Sequence, residues 1–322
     1  MPNLLEFKAK MYLTLALVFG TGFAIIYTLL YLFGVSSLGI FAFVIIFFIF
    51  QWYLSPNIIS FSTKLTYLKK NEMPELQDMV RKLATNAKLP MPRVAISPSM
   101  EPNAFTFGRS RRSATLVLNK GILKMLNDEE LESVIGHELG HIKHNDFFVM
   151  TIASFIPMLA FILAQNMFFG NMRSRNNGSY AILVGLFGFI AYFISEMLIL
   201  GLSRSREYFA DMHSAELTNK PEHLARALSK ITYNMAKSDV KPNGGGMRSL
   251  YIADSFSAKK DVEDVEKHAA EIKEFLPEIK LENVKSAILR ESNPLFTLFM
   301  THPPTYKRII ALARIKKYSE KK

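Results

Sequence analysis

The chain has 322 residues, with 39 Lys and Arg against 28 Asp and Glu, a formal net charge of +11, and no cysteine. That length admits one large domain or two small ones. The lack of cysteine excludes disulfides and thiolate metal sites, so any metal must be held by His, Asp or Glu.

In chain order, four apolar blocks reach the roughly 20 residues that a bilayer crossing needs: 11–33, 35–54, 147–169 and 181–202. The first is too long and uniform for a signal-peptide core and is followed at once by the second, so it reads as an anchor. The third and fourth have an alternative as a buried soluble hairpin; their spanning length and apolar character on all sides favour the membrane. Residues 1–54 and 147–202 are thus expected to be two transmembrane hairpins. The loop inside the first is uncharged and that inside the second carries only Arg173 and Arg175, whereas 55–146 carries 13 Lys and Arg and the chain after Leu202 carries 22. The positive-inside rule places those basic parts in the cytosol. The basic residues are mixed with acidic ones and show no aromatic–basic pattern, which argues against nucleic acid as a partner. Attraction to anionic lipid fits the charge.

After the first hairpin a helix is predicted over 74–88, with Pro74 suited to its first turn. Strand-like runs follow at 93–97, 104–107 and 115–119, punctuated by prolines and Gly108. The next helix opens at Asn127, an N-cap with Glu130 placed to close a capping box, and is expected to run past Asp146 into the third block. Beyond the fourth block the chain reads as helical to about Thr218, with a new helix from Pro221. A flexible segment holds Gly244, Gly245 and Gly246. Residues 259–275 read as a solvated charged helix and 305–318 as a basic amphipathic one.

The chemistry starts at His137-Glu138-Leu139-Gly140-His141. Two histidines four apart share a helical face, so both imidazoles can reach one zinc ion, and Glu138 stands beside that face to take a proton from a water the metal acidifies. The pentapeptide alone also occurs in unrelated surface helices. A third ligand is offered by Glu207, directly after the fourth block, with Asp211 one turn on. Glu207 can bind the metal and Asp211 can accept the second ring N–H of a ligating histidine; alternatively the pair is a charged cap on a membrane helix. Topology favours the metal: a hairpin of the third and fourth blocks returns both motifs to one membrane face.

His137 to His141, together with Arg204-Ser205-Arg206-Glu207-Tyr208-Phe209-Ala210-Asp211, resembles the HtpX family of membrane-bound zinc proteases, gluzincins related to the CAAX prenyl proteases. The resemblance covers nearly the whole chain. It implies His137, His141 and Glu207 as ligands of one zinc ion per chain, Glu138 as general base and Asp211 as a partner of a ligating histidine. It also implies ATP-independent endoproteolysis of membrane proteins in quality control. Pro102-Asn103-Ala104-Phe105-Thr106-Phe107-Gly108 resembles the family's substrate-binding edge strand, with Asn103 and Ala104 as backbone contacts for a peptide; a plain turn and strand is the alternative. Thr301-His302-Pro303-Pro304-Thr305 resembles its His-Pro-Pro segment. There His302 either donates to the oxyanion or is a surface histidine before a helix.

Other ionisable groups read more plainly. His144 is expected to face solvent or to support the site, and His213, His223 and His268 to lie on the surface. Glu196, inside the fourth block, is costly there and faces either a wet cavity or a hydroxyl of the third block. The expected protein is mainly α, with four transmembrane helices and a cytosolic zincin-like α+β metalloprotease domain. Its expected partners are membrane-protein or peptide substrates and the lipid bilayer, with no nucleic acid.

Overall fold

Three of the strand-like runs pair into a sheet, and a fourth short strand joins them. In the computed structural model, which describes residues 36–151, 153, 178–237, 252, 258–268, 272, 275, 276 and 302–319, the strands are β1 (Thr66–Tyr67), β2 (Arg93–Ser97), β3 (Ala104–Phe107) and β4 (Thr115–Asn119), in the order β1-β2-β4-β3. β2 and β4 are parallel, while β1 and β3 run antiparallel to their neighbours. β1 is too short for its alternation to be legible in the sequence. Among the described residues β3 pairs with β4 alone and forms one edge of the sheet.

The helices are α1 (Ser37–Ser62), α2 (Pro74–Asn86), α3 (Lys120–Met125), α4 (Asp128–Lys143), α5 (Gly178–Thr218), α6 (Pro221–Lys237), α7 (Ala258–Lys267) and α8 (Thr305–Ser319). The chain divides into two units, residues 1–55 with 159–190, and residues 56–158 with 191–322.

The second unit holds the sheet and its core. α4 packs against α2, α6 and β3, while α8 and α7 pack on α6. Val80 and Leu83 of α2, Leu116 and Leu118 of β4, Val134 and Leu139 of α4, and Leu228 and Ile231 of α6 share one apolar cluster. Burial of such side chains at roughly 25 cal/mol per Å² is the main force holding these layers together. Ala95, Phe105, Phe107 and Val117 form a second cluster, with Ile59 and Leu65 against it. The capping box expected at α4 is present, with Asn127 Oδ1 accepting from the Glu130 N–H at 2.9 Å and Glu130 Oε2 from the Asn127 N–H at 3.1 Å.

Three elements differ from expectation. α4 does not run on into the third block: it ends at Lys143, and Asn145 adopts a left-handed conformation with φ of 55° before helix resumes at Asp146. Asn tolerates that region because its short polar side chain bonds locally. The 259–275 stretch is not merely solvated, because Val262, Val265, Asp261 and Asp264 of α7 and the residue beyond it, Ile272, are buried. His213 is not on the surface either, being 5% exposed.

Of the four expected spans, the block 11–33 and the third block beyond 153 lie outside the described residues, as do Arg173, Arg175 and the Gly244–Gly246 segment. Among the described residues, one helical stretch, Ile45–Ser62 of α1, is long and apolar enough to cross a membrane. α5, which carries the fourth block, is 41 residues long, or roughly 60 Å at 1.5 Å per residue. Phe187, Phe193, Ile194 and Leu198 along it are more than half exposed. Exposed apolar rows of this kind mark a surface that meets lipid or a partner.

Candidate metal centre

α4 and α5 approach closely because both are stripped of bulk where they meet. A Cβ on Gly140 would stand 2.9 Å from the Ala210 Cα, and one on Gly136 would stand 3.2 Å from the Ser214 Oγ. Gly136 and Gly140 are one turn apart, as are Ala210 and Ser214, so two small-residue faces meet. Ser214 Oγ donates to the Ser133 carbonyl at 2.6 Å and pins the crossing. This contact carries Glu207, one turn before Ala210, to the two histidines of α4.

His137, His141 and Glu207 come together, with one ligand-type atom from each all within 4.8 Å of one another. The two Nε2 atoms are 3.2 Å apart. Glu207 places Oε2 3.6 Å from His137 Nε2 and Oε1 3.6 Å from His141 Nε2. The other ring nitrogens are held by carboxylates: His137 Nδ1 lies 2.9 Å from Asp211 Oδ1 and His141 Nδ1 lies 2.6 Å from Asp146 Oδ2. A ring N–H given to each carboxylate leaves both Nε2 atoms with bare lone pairs.

Two lone pairs and a carboxylate converge in a buried space, where the Arg308 guanidinium stands 3.2 Å from Glu207 Oε2 and 3.5 Å from His137 Nε2; a metal cation among them would offset their remaining mutual repulsion. Two nitrogens each ~2.0–2.1 Å from a tetrahedral zinc lie about 3.3 Å apart, close to the observed 3.2 Å. Glu207 Oε2 is buried and, among the described residues, accepts no well-directed hydrogen bond. The donor set fits a divalent metal, and nitrogen and carboxylate ligands without sulfur suit zinc.

The electrostatics point the same way. Burial of the His141 ring opposes its charging, but the Asp146 hydrogen bond and the Glu207 carboxylate outweigh it and raise its pKa. Burial alone would raise the Glu207 carboxyl; His302, Arg308 and His141 hold it well below the usual range instead. Asp211 is likewise kept low against its burial, chiefly by Arg308, and Asp146 by His141 and Arg206.

The remaining predicted residues fall as follows. Glu138 is buried on α4 between the two histidines. His302 is buried, 4% exposed, with Nδ1 3.3 Å from Glu207 Oε2, so it is not a surface histidine. Ala104 opens the edge strand β3. Asn103 is opposite Asn119 and accepts its N–H at 3.0 Å. Main-chain groups alternate sides along a strand, so Asn103 turns its carbonyl inward, whereas Ala104 and Thr106 turn theirs to the outer edge. The Asn103 side chain is engaged as well, its Oδ1 accepting the Ile252 N–H at 2.9 Å. His144 is exposed, with its ring 6.0 Å from that of Phe209 and 6.3 Å from that of His213. Glu196 is half-buried on α5.

Sequence reasoning missed three participants: Asp146, Arg206 and Arg308. Arg206 Nη2 reaches Asp146 Oδ2 at 3.0 Å. Arg308, on α8 and 1% exposed, donates to Asp211 and stands 3.2 Å from Glu207 Oε2. Its only advance signal is a basic residue on the inward face of a helix directly after His302.

A mainly helical fold with a small sheet, and a buried two-histidine, one-glutamate cluster on adjacent helices, define a metallopeptidase-type protein. The chain belongs to peptidase family M48, whose model matches residues 70–316. A protease HtpX homolog of Methanothermobacter thermautotrophicus is 37% identical over 234 residues, covering 72% of this chain and 88% of that one. Another from Moorella thermoacetica is 34% identical over 319 residues, covering 98% and 96%. Among solved structures, Ste24p of S. mikatae aligns with a TM-score of 0.52 at 20% identity, covering 97% of this chain and 66% of that one. That last likeness concerns the fold alone.

Proposed function

We propose that the chain is an integral-membrane zinc endopeptidase. In this reading it is anchored by four transmembrane helices with its active site on the cytoplasmic side, and it cuts misfolded membrane proteins in quality control. The observation that carries the reading is the convergence of His137, His141 and Glu207 within 4.8 Å, each histidine backed by a carboxylate. The exposed apolar rows of α1 and α5 and the basic excess of 55–146 support the membrane setting and its orientation.

His137, His141 and Glu207 would hold the ion. Zinc in such a site supplies Lewis acidity, which acidifies water and polarises a carbonyl. Asp211 and Asp146 orient the two imidazoles and keep their Nε2 atoms unprotonated. The Glu138 carboxylate, on the same helix, takes the proton of the attacking water and delivers it to the leaving amine. His302, whose Nδ1 stands 3.3 Å from Glu207 Oε2 and whose Nε2 has no hydrogen-bond partner among the described residues, donates from Nε2 to the developing oxyanion. Ala104 and Thr106 offer carbonyls to an extended peptide added to the edge of β3.

The test is Glu138→Gln in full-length protein reconstituted in vesicles. Cleavage of a membrane-protein substrate should fall by roughly 10²–10⁴-fold with bound zinc retained; cleavage at the wild-type rate defeats the reading. The quality-control part is tested with one membrane protein in folded and destabilised forms, where the destabilised form should be cut faster. Because the chain has no cysteine, Ser110→Cys provides a single label site on an exposed turn, which should react only from the cytoplasmic face.

A further inference from the structure

The hairpin of β3 and β4 is fastened at two places. On one face of the sheet, Phe105 and Phe107 of β3 lie in the cluster that Ile59 and Leu65 pack against. Ile59 belongs to the last turn of the apolar stretch Ile45–Ser62. At the tip of the hairpin, Arg111 donates through Nη2 to the Lys143 carbonyl at the end of α4, shortly before Phe147 opens the third apolar block. The loop between β3 and β4 is therefore tied to two segments that, in the membrane reading above, enter the bilayer.

That loop is compact and basic. Its neck is narrow, because a Cβ on Gly108 would stand 2.9 Å from the Ala114 Cα. It closes on itself through Ser113 Oγ, which accepts the N–H of Arg109 at 3.3 Å and that of Ser110 at 3.1 Å. Ser110, Arg111 and Arg112 are left exposed. Among the described residues Arg112 has no hydrogen bond or ion pair, and Arg111 has no carboxylate partner. Asp146, the next acid after Lys143, is engaged by His141 at 2.6 Å and Arg206 at 3.0 Å. Beyond Lys143, His144 and Phe148 are exposed, and the His144 ring lies 6.0 Å from that of Phe209, itself exposed.

Arginines without acids to neutralise them, beside exposed aromatic rings, suit a membrane–water interface. A guanidinium meets a phosphate diester with two parallel donors. We propose that the Arg111–Arg112 turn is a docking surface for the headgroups of anionic phospholipids in the cytoplasmic leaflet. In a choline lipid the ammonium group cancels the phosphate charge, so the turn discriminates between the two lipids. The inference rests on the membrane reading and adds the place where the chain reads lipid charge. Because the turn continues β3, a lipid held there steadies the outer end of the strand to which a peptide is added.

The experiment uses full-length protein in detergent micelles, titrated with phosphatidylglycerol or phosphatidylcholine and read by native mass spectrometry. Each arginine near an anionic headgroup contributes roughly fivefold in affinity. Wild type should therefore hold phosphatidylglycerol at least tenfold more tightly than phosphatidylcholine. Arg112→Gln removes a side chain with no partner to lose and should cut that preference by about fivefold. Arg111→Gln with Arg112→Gln should abolish it. Lys307→Gln with Arg314→Gln removes the same charge from exposed positions on α8 and should leave it in place. A wild type that holds both lipids equally overturns the proposal, as does an equal loss in the α8 pair, which marks attraction by net charge alone. Full displacement of phosphatidylglycerol by inorganic phosphate also overturns it, since the site would then be one for free anions. Protein that an alkaline carbonate wash strips from membranes overturns the membrane reading beneath it.

Discussion

Arg308 grips Asp211 through two parallel hydrogen bonds, Nε to Oδ2 at 2.8 Å and Nη2 to Oδ1 at 2.6 Å. The fork is buried, and Asp211 in turn holds His137 Nδ1 at 2.9 Å. The guanidinium therefore sets the orientation of an imidazole that it does not ligate. Its own pKa is raised: burial opposes its charge, but the Asp211 and Glu207 carboxylates more than offset that.

Breaking that fork should weaken metal binding. Arg308→Lys keeps the charge but cannot donate in two parallel lines, and it is expected to lower zinc affinity by roughly 10–100-fold. Arg308→Ala leaves the buried Asp211 carboxylate with the His137 ring but without the guanidinium counter-charge, at a cost of about 3–5 kcal/mol. A competition titration against a chromophoric chelator and a thermal melt measure the two effects. Zinc affinity unchanged in Arg308→Lys would show that the fork does not position His137.

Asp146→Asn tests the second histidine. The amide keeps the shape but can present an N–H₂ to His141 Nδ1 and lets the ring take the other tautomer. Zinc affinity should fall by roughly 10–100-fold. Glu207→Ala should go further and leave purified protein without stoichiometric zinc. Chelation of the wild type should lower its thermal midpoint by the linkage of binding to folding, and should change Glu207→Ala little. Metal analysis of the three proteins decides it.

The helix crossing predicts an asymmetry between two glycines. Gly140→Ala drives a methyl against the Ala210 backbone at 2.9 Å, which cannot yield without moving α5. It is expected to cost about 1–3 kcal/mol and to displace Glu207 from the histidines. Gly136→Ala meets the Ser214 Oγ at 3.2 Å, a side chain that can rotate. Rotation would cost its bond to the Ser133 carbonyl, but the helix preference of Ala over Gly, about 1 kcal/mol, offsets part of that, so Gly136→Ala should cost less than Gly140→Ala. Melting temperature and zinc content should separate the two variants; equal effects would count against close packing at Gly140.

His213 gives the fold a pH dependence. Burial, then the neighbouring Lys143, whose Nζ stands 3.4 Å from Nδ1, lower its pKa to about 4. The unfolded chain titrates this group near 6.5, so between those values the unfolded state binds more protons. Stability from neutral His213 is full above about pH 6.5 and is lost as pH falls towards 4. His213→Gln should flatten the fall in thermal midpoint between pH 7 and pH 5. An identical slope in wild type and variant would exclude the residue as its source.

The histidine pair and the Glu207–Asp211 pair were legible because helical spacing is local: residues four apart share a face whatever surrounds them. The strands at 93–97, 104–107 and 115–119 and the cap at Asn127 were legible for the same reason. Asp146 was not. A continuous helix would put position 146 five residues from His141 and off its face. The left-handed turn at Asn145 folds the chain back so that the carboxylate reaches the ring. Arg308 was hidden because its partner Asp211 lies 97 residues away. His213 was misjudged because its burial comes from packing between helices and leaves no periodic trace.

Taken alone, the sequence determined the ligand types, their order along the chain and the apolar blocks, since each follows from residue chemistry and short-range periodicity. The tertiary structure decided which carboxylates support which imidazole, which arginine neutralises the buried acids and which strand lies at the sheet edge. Those choices depend on contacts between segments far apart in the chain. The meeting of Glu207 with the two histidines, for one, is set by close packing of small residues at the α4–α5 crossing, not by any local pattern.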